Sequence, residues 1–190
     1  RRVLFRSDAF LVIEDKRFYS HGGIDFLRAF GAAFANFRAG GVVQGFSTIT
    51  MQLARNLFPE RLDARDRGLT RKLREMKVAR AIESRYSKDR ILELYLNQIA
   101  FGSGAFGVET ASQRYFGKSV RELTIAEAAT LAALPKGPGR YNPRRFPERA
   151  VQRRNTIIEL MRREGVIPDS SASLAKAYPM RLVQIGRAHV

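Results

Sequence analysis

The sequence predicts a mainly α-helical fold, and three kinds of observation support that prediction. Apolar residues recur along several stretches at the three- and four-residue spacing of an amphipathic helix. Helix start and stop signals flank some of these stretches, whereas the alternating pattern of strands is nearly absent. Because the chain shows no internal repeat and no long linker, one α-rich domain is the simplest interpretation.

Four stretches carry the helical spacing. Ser87-Lys88-Asp89 is a start signal for the stretch 88–100. Thr124 and Glu127 form the pattern of a capping box for a further helix, which Pro135 ends. Glycine-bearing breaks between the helices are the predicted site loops. The helical stretches are 24–38, 69–86, 88–100 and 148–163, and the breaks are 22–23, 40–45, 102–107 and 137–139.

The first helical stretch has a stripe of phenylalanines that admits two interpretations. From periodicity alone we expect these rings to be buried in the core. The alternative is a membrane-facing flap over residues 24–46, because Arg28 and Arg38 suit a helix that lies in a lipid headgroup layer. The rings belong to Phe26, Phe30, Phe34 and Phe37.

Composition limits the classes of function. The absence of cysteine excludes a disulfide framework and a thiolate metal site, and the wide separation of His21 and His189 argues against a histidine-built zinc site. The formal net charge of +16 indicates a polyanionic partner, which on charge alone is nucleic acid, an anionic lipid surface or a phosphorylated substrate.

The two ends of the chain are expected to be foreign to the protein. Residues 1–7 and 185–190 can both be translated from a single sequencing-library oligonucleotide and its reverse complement, which predicts that the native segment is 8–184. Four arginines and no acidic residue lie in those flanks, so the native segment would carry +12 and remain strongly basic.

The stretch "IEDKRFYSHGGID", residues 13–25, surrounds an apolar pair with acidic and histidine side chains. Apolar surroundings disfavour the charged form of a carboxylate and make it a better base. Glu14 is therefore a candidate general base.

A glycine-bearing loop leads into a second candidate site, at residues 45–58. The hydroxyls of Ser47 and Thr48 precede a helix whose N-terminal N–H groups attract an anion. Gln52 and Arg55 are three residues apart and share one face of that helix. The alternative is an ordinary capped helix with a solvated arginine.

A third candidate site places two cations beside a carboxylate. Arg71 and Lys72 lie four and three residues before Glu75, on the same helical face. A solvated surface ladder looks the same and contributes only ~0.3–0.5 kcal/mol per pair. Together with Glu14, however, this group suits a reaction that deprotonates a hydroxyl while a phosphate leaves.

Four ordered motifs within residues 8–164 together resemble the family 51 peptidoglycan glycosyltransferases, which are the domains of class A penicillin-binding proteins and monofunctional murein polymerases. The resemblance implies a lysozyme-like, mainly helical fold, and it leads us to predict the membrane-facing flap over residues 24–46 in place of a core stripe. It also implies an inverting transferase that polymerises lipid II into β-1,4 glycan strands and releases undecaprenyl pyrophosphate. The motifs are "EDKRFYSHGGID" (14–25), "GFSTITMQLARNLF" (45–58), "RKLREMKVARAIESRYSKDRILELYLNQIAFGSGAFGVETASQRYFGK" (71–118) and "LAALPKGPGRYNPRRFPERAVQRRNTII" (131–158).

The resemblance also implies roles for individual residues. Glu14 matches the catalytic base that takes the proton from the acceptor's 4-hydroxyl, and Glu75 matches a second essential glutamate, also expected to be catalytic, near the donor pyrophosphate. Asp15, Phe18 and His21 match residues that support the base. The matched donor-site contacts are Ser47, Thr48, Gln52, Arg55, Asn56, Arg71 and Lys72.

The family further implies a divalent cation, Mg²⁺ or Mn²⁺, although no dedicated metal cage is legible in the sequence and the metal ligands are unknown. The implied partners are lipid II, the growing glycan strand, the membrane surface and other cell-wall synthesis proteins, with no nucleic acid. The implied location is the outer face of a bacterial cell membrane, with an N-terminal anchor that is not present in residues 1–190.

Three alternatives remain open at this point. A lysozyme-like glycan hydrolase would also use a glutamate but has no need of a pyrophosphate site. A nucleic-acid-binding helical domain would account for the charge, yet the basic residues are interleaved with acids and no familiar binding motif is present. The third alternative is a transferase made inactive by truncation.

Overall fold

The computed structural model describes residues 4–41, 45–62 and 68–184, and this part of the chain is mainly helical, as predicted. Much of the two predicted foreign flanks lies outside the described residues, as do residues 42–44 of the predicted flap. The foreign origin of the flanks stays a prediction.

The chain divides into two compact units. The central unit comprises residues 14–98, and the terminal unit comprises the described residues of 1–13 and 99–190. No composition shift or linker indicates this division in the sequence.

Helix α3 is the structural centre of the central unit, because it packs against both α4 and α5. Its inner face is buried through Ile49, Met51 and Leu53, each fully inaccessible to solvent. The elements of this unit, with the first helix that leads into it, are α1 (Leu4–Glu14), a 3-10 turn (Phe18–Ser20), α2 (Phe26–Arg38), α3 (Ile49–Leu57), α4 (Leu69–Glu83) and α5 (Lys88–Gln98).

Helix α7 is the core of the terminal unit: every residue after Ile125 in it is buried, and it packs on α8. The predicted capping box is confirmed, since Thr124 and Glu127 exchange hydrogen bonds at its start, and the helix ends at Ala133, shortly before Pro135. The elements are β1 (Ala100–Gly102), β2 (Ala105–Phe106), α6 (Val108–Phe116), a 3-10 turn (Val120–Glu122), α7 (Ile125–Ala133), α8 (Pro147–Arg163) and α9 (Asp169–Ala177).

The four predicted helical stretches correspond to α2, α4, α5 and α8. The start signal of α5 is confirmed, because the Ser87 hydroxyl accepts a hydrogen bond from the Arg90 N–H at 3.3 Å. The prediction for 88–100 was too long at its end, since Ala100 begins the short antiparallel hairpin of β1 and β2.

Gly23 lets α4 approach the loop before α2. Its φ of +87° is one that side-chain-bearing residues rarely adopt, and an added Cβ would lie 3.1 Å from the carbonyl oxygen of Ala79. The Gly23 carbonyl accepts a hydrogen bond from the Thr48 hydroxyl at 2.7 Å, which ties this loop to the start of α3.

The phenylalanine stripe of α2 is exposed, so the core interpretation is wrong and the rings have the exposure that the predicted flap requires, while its contact with a membrane stays a prediction. The exposed fractions are 56% for Phe26, 73% for Phe30, 64% for Phe34 and 86% for Phe37. Among the residues of α2 only Ala32 is buried, because small side chains form the face that packs inward. Within the described part of the chain, no helix has both the length and the hydropathy needed to cross a bilayer.

Candidate active site

Helix α3 brings the two predicted carboxylates into one arrangement. Gln52 donates a hydrogen bond from Nε2 to Oε2 of Glu14 at 3.0 Å. Arg55, one turn along the same face, pairs with Oε1 of Glu75 at 3.3 Å. The candidate base and the cation-rich group therefore lie at neighbouring positions along one helix.

Glu14 is the last residue of α1, and its carboxylate is held by an oriented amide. The buried hydroxyl of Tyr95 donates to Oε1 of Gln52 at 3.2 Å, which turns the Gln52 amide so that its N–H group faces Glu14. Burial, followed by the negative charge of Glu14, raises the pKa of Tyr95 well above its ordinary value. Tyr95 therefore stays protonated as a donor.

Sequence reasoning missed Tyr95 as a site residue, because it fitted the apolar pattern of α5. The available signal was its hydroxyl, since a tyrosine on a buried helical face almost always finds a hydrogen-bond partner.

Asp15 connects the end of α1 to the start of α3. It is 1% exposed, and its carboxylate accepts hydrogen bonds from the Ile49 N–H at 3.0 Å and from His21 Nε2 at 3.0 Å. Phe18 is buried and packs edge-on against the His21 ring. This geometry suits the predicted supporting role of all three residues, which orient the segment that carries Glu14.

Thr48 has a different place from the one expected of a substrate contact. It is fully buried, its hydroxyl donates to the Gly23 carbonyl at 2.7 Å, and the same oxygen accepts from the Met51 N–H at 3.2 Å. Because a fully buried hydroxyl is out of reach of a substrate, we correct the assignment of Thr48 from a substrate contact to a positioning residue that caps α3.

Glu75 is surrounded by cations and is fully buried. Arg71 donates to its Oε1, Lys72 lies 2.7 Å from its Oε2, and Arg55 completes the group. The alternative of a solvated surface ladder is therefore wrong. Three cations around one anion leave an excess of positive charge, which can bind a further anion.

Two more predicted residues lie at the edge of this group. The Ser47 hydroxyl accepts a hydrogen bond from Lys72 Nζ at 2.5 Å, as expected of a donor-site contact. Asn56 is exposed, and its side chain makes no hydrogen bond within the described part of the chain, so the structure does not bring it into the site.

The carboxylates that could hold the predicted divalent cation are already engaged within the protein alone, so the cation stays a prediction. Both oxygens of Glu75 already bind cations, and the surrounding positive charge repels a metal ion. A second group, Asp15, His21 and Asp25, has ligand atoms within 4.8 Å of one another. Its carboxylates are engaged as well, since Asp25 accepts from Arg17 Nε at 3.0 Å and from the Arg28 N–H at 2.9 Å.

Lys72 should make donor binding sensitive to alkaline pH. Burial lowers the pKa of Lys72, and Arg55 and Arg71 lower it further, while Glu75 acts in the opposite direction. Because only the ammonium form attracts phosphate, affinity for a pyrophosphate lipid should be full below this lowered pKa and decline as pH rises through it.

The measurement is a titration of binding against pH, with Lys72→Arg as the matched variant. The pKa of arginine is above ~12, so the side chain stays charged over the titrated range. The binding affinity of the variant should therefore stay constant at the pH values where that of the wild type falls. Identical profiles for the two proteins would exclude Lys72 as the titrating group.

Comparisons with known proteins identify the family to which the chain is similar. A sequence model of the family described as Transglycosylase matches residues 5–162. Penicillin-binding protein 1A of Aquifex aeolicus is 54% identical over 160 residues, which are 84% of this chain and 22% of that protein. Penicillin-binding protein 1F of Bacillus subtilis is 43% identical over 175 residues, 92% of this chain and 24% of that protein.

A solved structure agrees as well. The crystal structure of penicillin-binding protein 1A from Haemophilus influenzae matches with a TM-score of 0.50 and 41% identity, over 52% of this chain and 15% of that one. The chain thus spans about a quarter or less of the length of these curated relatives.

Proposed function

The chain belongs to the transglycosylase family, and on that premise we propose that it is a peptidoglycan glycosyltransferase domain. It polymerises lipid II into β-1,4-linked glycan strands and releases undecaprenyl pyrophosphate. The observation that carries this proposal is the arrangement along α3, where Gln52 binds a lone carboxylate and Arg55 binds a carboxylate embedded in cations.

Glu14 and the cations around Glu75 suit the two parts of one displacement reaction, in which a hydroxyl attacks and a pyrophosphate leaves. Glu14 takes the proton from the 4-hydroxyl of the acceptor sugar as its oxygen attacks C1 of the donor. The bond from C1 to the pyrophosphate oxygen breaks, and the leaving group departs with the electron pair. Attack from the opposite face converts the α-linked donor into a β-linked product, so the reaction inverts the anomeric centre.

The cations stabilise the charge that develops on the leaving group. Arg55 and Lys72 have side chains that are 27% and 19% exposed, so each keeps part of its N–H edge available to a phosphate. Arg71 is more deeply buried and holds Glu75, which keeps the group together. Glu75 is then a positioning residue for the cations that bind pyrophosphate.

A glycan hydrolase is less well supported by the same geometry. Hydrolysis of a glycosidic bond needs an acid and a second carboxylate beside the sugar, not three cations around a buried glutamate. Release of pyrophosphate does need such a group.

Incubation with labelled lipid II tests the proposal. We expect a polymer that muramidase digests, together with free undecaprenyl pyrophosphate. Shortening of preformed strands would instead indicate a hydrolase. If the chain makes no polymer alone but does so when joined to a membrane-spanning helix, the truncated-fragment alternative holds; no polymer in either form contradicts the proposal.

We also propose that α2 lies in the membrane interface, on the outer face of the bacterial cell membrane where a lipid-linked substrate is presented. Its exposed aromatic rings and the guanidinium of Arg38, 5.9 Å from the Phe34 ring centroid, suit a headgroup layer. Other cell-wall synthesis proteins and a divalent cation stay predictions, and chelation with EDTA before the lipid II assay tests the cation.

The double variant Phe30→Ser, Phe34→Ser should lose binding to anionic vesicles without unfolding. The two rings are 73% and 64% exposed, so their removal takes little packing from the protein. Vesicle co-sedimentation measures the loss, which we expect to reach about tenfold or more because each ring buries apolar area in lipid.

A matched control keeps this prediction specific. Phe106 and Leu174, in the terminal unit, are 65% and 74% exposed, and their replacement by serine removes comparable apolar surface. Equal loss of vesicle binding in the control, or loss of the folded state in the α2 variant, would show that α2 is not the membrane contact.

A further inference from the structure

A cluster of five arginines in the terminal unit has no part in the proposed site. Its members lie in the loop before α8 and in the first two turns of that helix. Within the described part of the chain, none of them forms an ion pair with an acidic side chain. The arginine cluster consists of Arg140, Arg144, Arg145, Arg149 and Arg153.

Aromatic rings contact all five guanidinium groups, and Arg144 lies 5.8 Å from the centroid of the Tyr115 ring. The Tyr141 ring has Arg140 at 5.6 Å and Arg153 at 5.8 Å from its centroid. The Phe146 ring has Arg145 at 5.8 Å and Arg149 at 5.0 Å. A guanidinium that lies over a ring is held in place while its N–H edge stays available for a planar anion.

Two donors in the cluster lack any partner. The Nε atoms of Arg144 and Arg153 are inaccessible to solvent and make no hydrogen bond with the described residues. Solvent does not reach these two atoms, and Arg144 also donates from its Nη2 to the Arg114 carbonyl at 2.9 Å, so Arg144 and Arg153 are held by the protein. The guanidinium groups that a ligand from solution can reach are those of the exposed Arg140, Arg145 and Arg149.

The position of the cluster is electrostatically unfavourable for the protein alone. Arg149 lies in the first turn of α8, where the helix dipole favours negative charge, and Arg153 follows it at the like-charge spacing of four residues. Glu148 is the one acidic residue in that turn. A bound anion with several charges would relieve this repulsion.

We propose that the arginine cluster binds the carboxylates of acidic stem peptides on the nascent glycan strand. This inference rests on the proposed function, because it takes the product of that reaction as the ligand. Once pyrophosphate has left, the acidic groups along the strand are the carboxylates of its peptides, and a guanidinium fork matches a carboxylate through two parallel hydrogen bonds.

The repeating structure of a strand strengthens this match. Each disaccharide presents another peptide, so a strand that engages two arginines brings its next carboxylates to the remaining ones at high effective concentration. Affinity should therefore increase with strand length and decrease with added salt. A single stem peptide should bind weakly.

Binding to preformed glycan strands tests the proposal without requiring polymerisation. Strands with non-amidated stem peptides, strands stripped of peptides by an amidase, free stem peptide and anionic vesicles are each titrated against the 190-residue chain. The test variant is Arg145→Gln, Arg149→Gln. The control is Arg85→Gln, Arg121→Gln, which removes two exposed arginines outside the cluster.

We expect the test variant to lose about tenfold or more in affinity for peptide-bearing strands, since two charge-assisted contacts are removed. The affinity of the control variant for peptide-bearing strands should stay within about twofold of the wild-type affinity. Strands stripped of peptides should bind weakly to both variants. The test variant should also unfold at the same or a higher temperature, because it relieves repulsion at the start of α8.

Several results would overturn the inference. These are equal affinity for stripped and peptide-bearing strands, unchanged affinity in the test variant, or a loss that appears only with anionic vesicles. The strands are supplied ready-made, so the two failures are distinguishable. A protein that binds the strands but makes no polymer, alone or joined to a membrane-spanning helix, contradicts the proposed function, whereas one that polymerises lipid II but does not bind them contradicts only this inference.

Discussion

Replacement of Glu14 by glutamine should lower the rate of polymerisation by ~10²–10⁴, the usual effect of losing a general base. Glutamine has nearly the same shape and can still accept a hydrogen bond from Gln52, but it cannot take a proton from the acceptor hydroxyl. The measurement is the initial rate of polymer formation from labelled lipid II, with saturating substrate.

The fold of this variant should be unchanged, and a matched control shows whether the effect is local. Glu93 lies on the surface of α5 in an exposed pair with Arg90, so Glu93→Gln makes the same chemical change away from the site. The control should keep the wild-type rate. A Glu14→Gln protein that polymerises at the wild-type rate would remove Glu14 from the mechanism.

Replacement of Arg71 by alanine should lower the free energy of unfolding by about 2 kcal/mol, because a buried carboxylate loses a charged hydrogen-bond partner. The sequence alone leads to the opposite expectation, that exposed ion pairs contribute little to stability and that Arg71→Ala weakens binding of the lipid pyrophosphate more than it lowers stability. Glu75 is fully buried, however, and Arg71 itself is 8% exposed. Denaturant unfolding measures the change.

Lys72→Ala is the informative comparison for that variant. Lys72 is more exposed than Arg71, and Arg55 and Arg71 still neutralise Glu75 after its removal. We therefore expect Lys72→Ala to weaken binding of a pyrophosphate lipid more than it lowers stability, whereas Arg71→Ala should do the reverse. Equal effects of the two variants on both quantities would contradict the division of roles between them.

The parts of the fold that were predictable from the sequence are those set by local chemistry. The start of α5 at Ser87 and the capping box at Thr124 depend on side chains that bind backbone groups a few residues away, so the pattern is enough. The hairpin of β1 and β2 was missed because its strands have three and two residues, too few to show an alternating pattern.

Burial was harder to predict because it depends on which elements meet. The phenylalanine stripe of α2 has the spacing of a core face, yet it is exposed, and the charged face of α4 has the spacing of a solvated face, yet Glu75 is buried. Periodicity defines a face of a helix and not its environment. For the same reason the capping role of Thr48 was predictable from the sequence, whereas its complete burial was not.

The pair of contacts along α3 has a consequence for how the two substrates bind. When the donor pyrophosphate draws Arg55 away from Glu75, the force acts on a short helix that also carries Gln52, the residue that holds the base. Donor and acceptor affinities are then thermodynamically linked: each ligand changes the equilibrium constant of the other by the same factor. A donor analogue should therefore change the affinity for an acceptor analogue, and the acceptor analogue should change the affinity for the donor by the same factor.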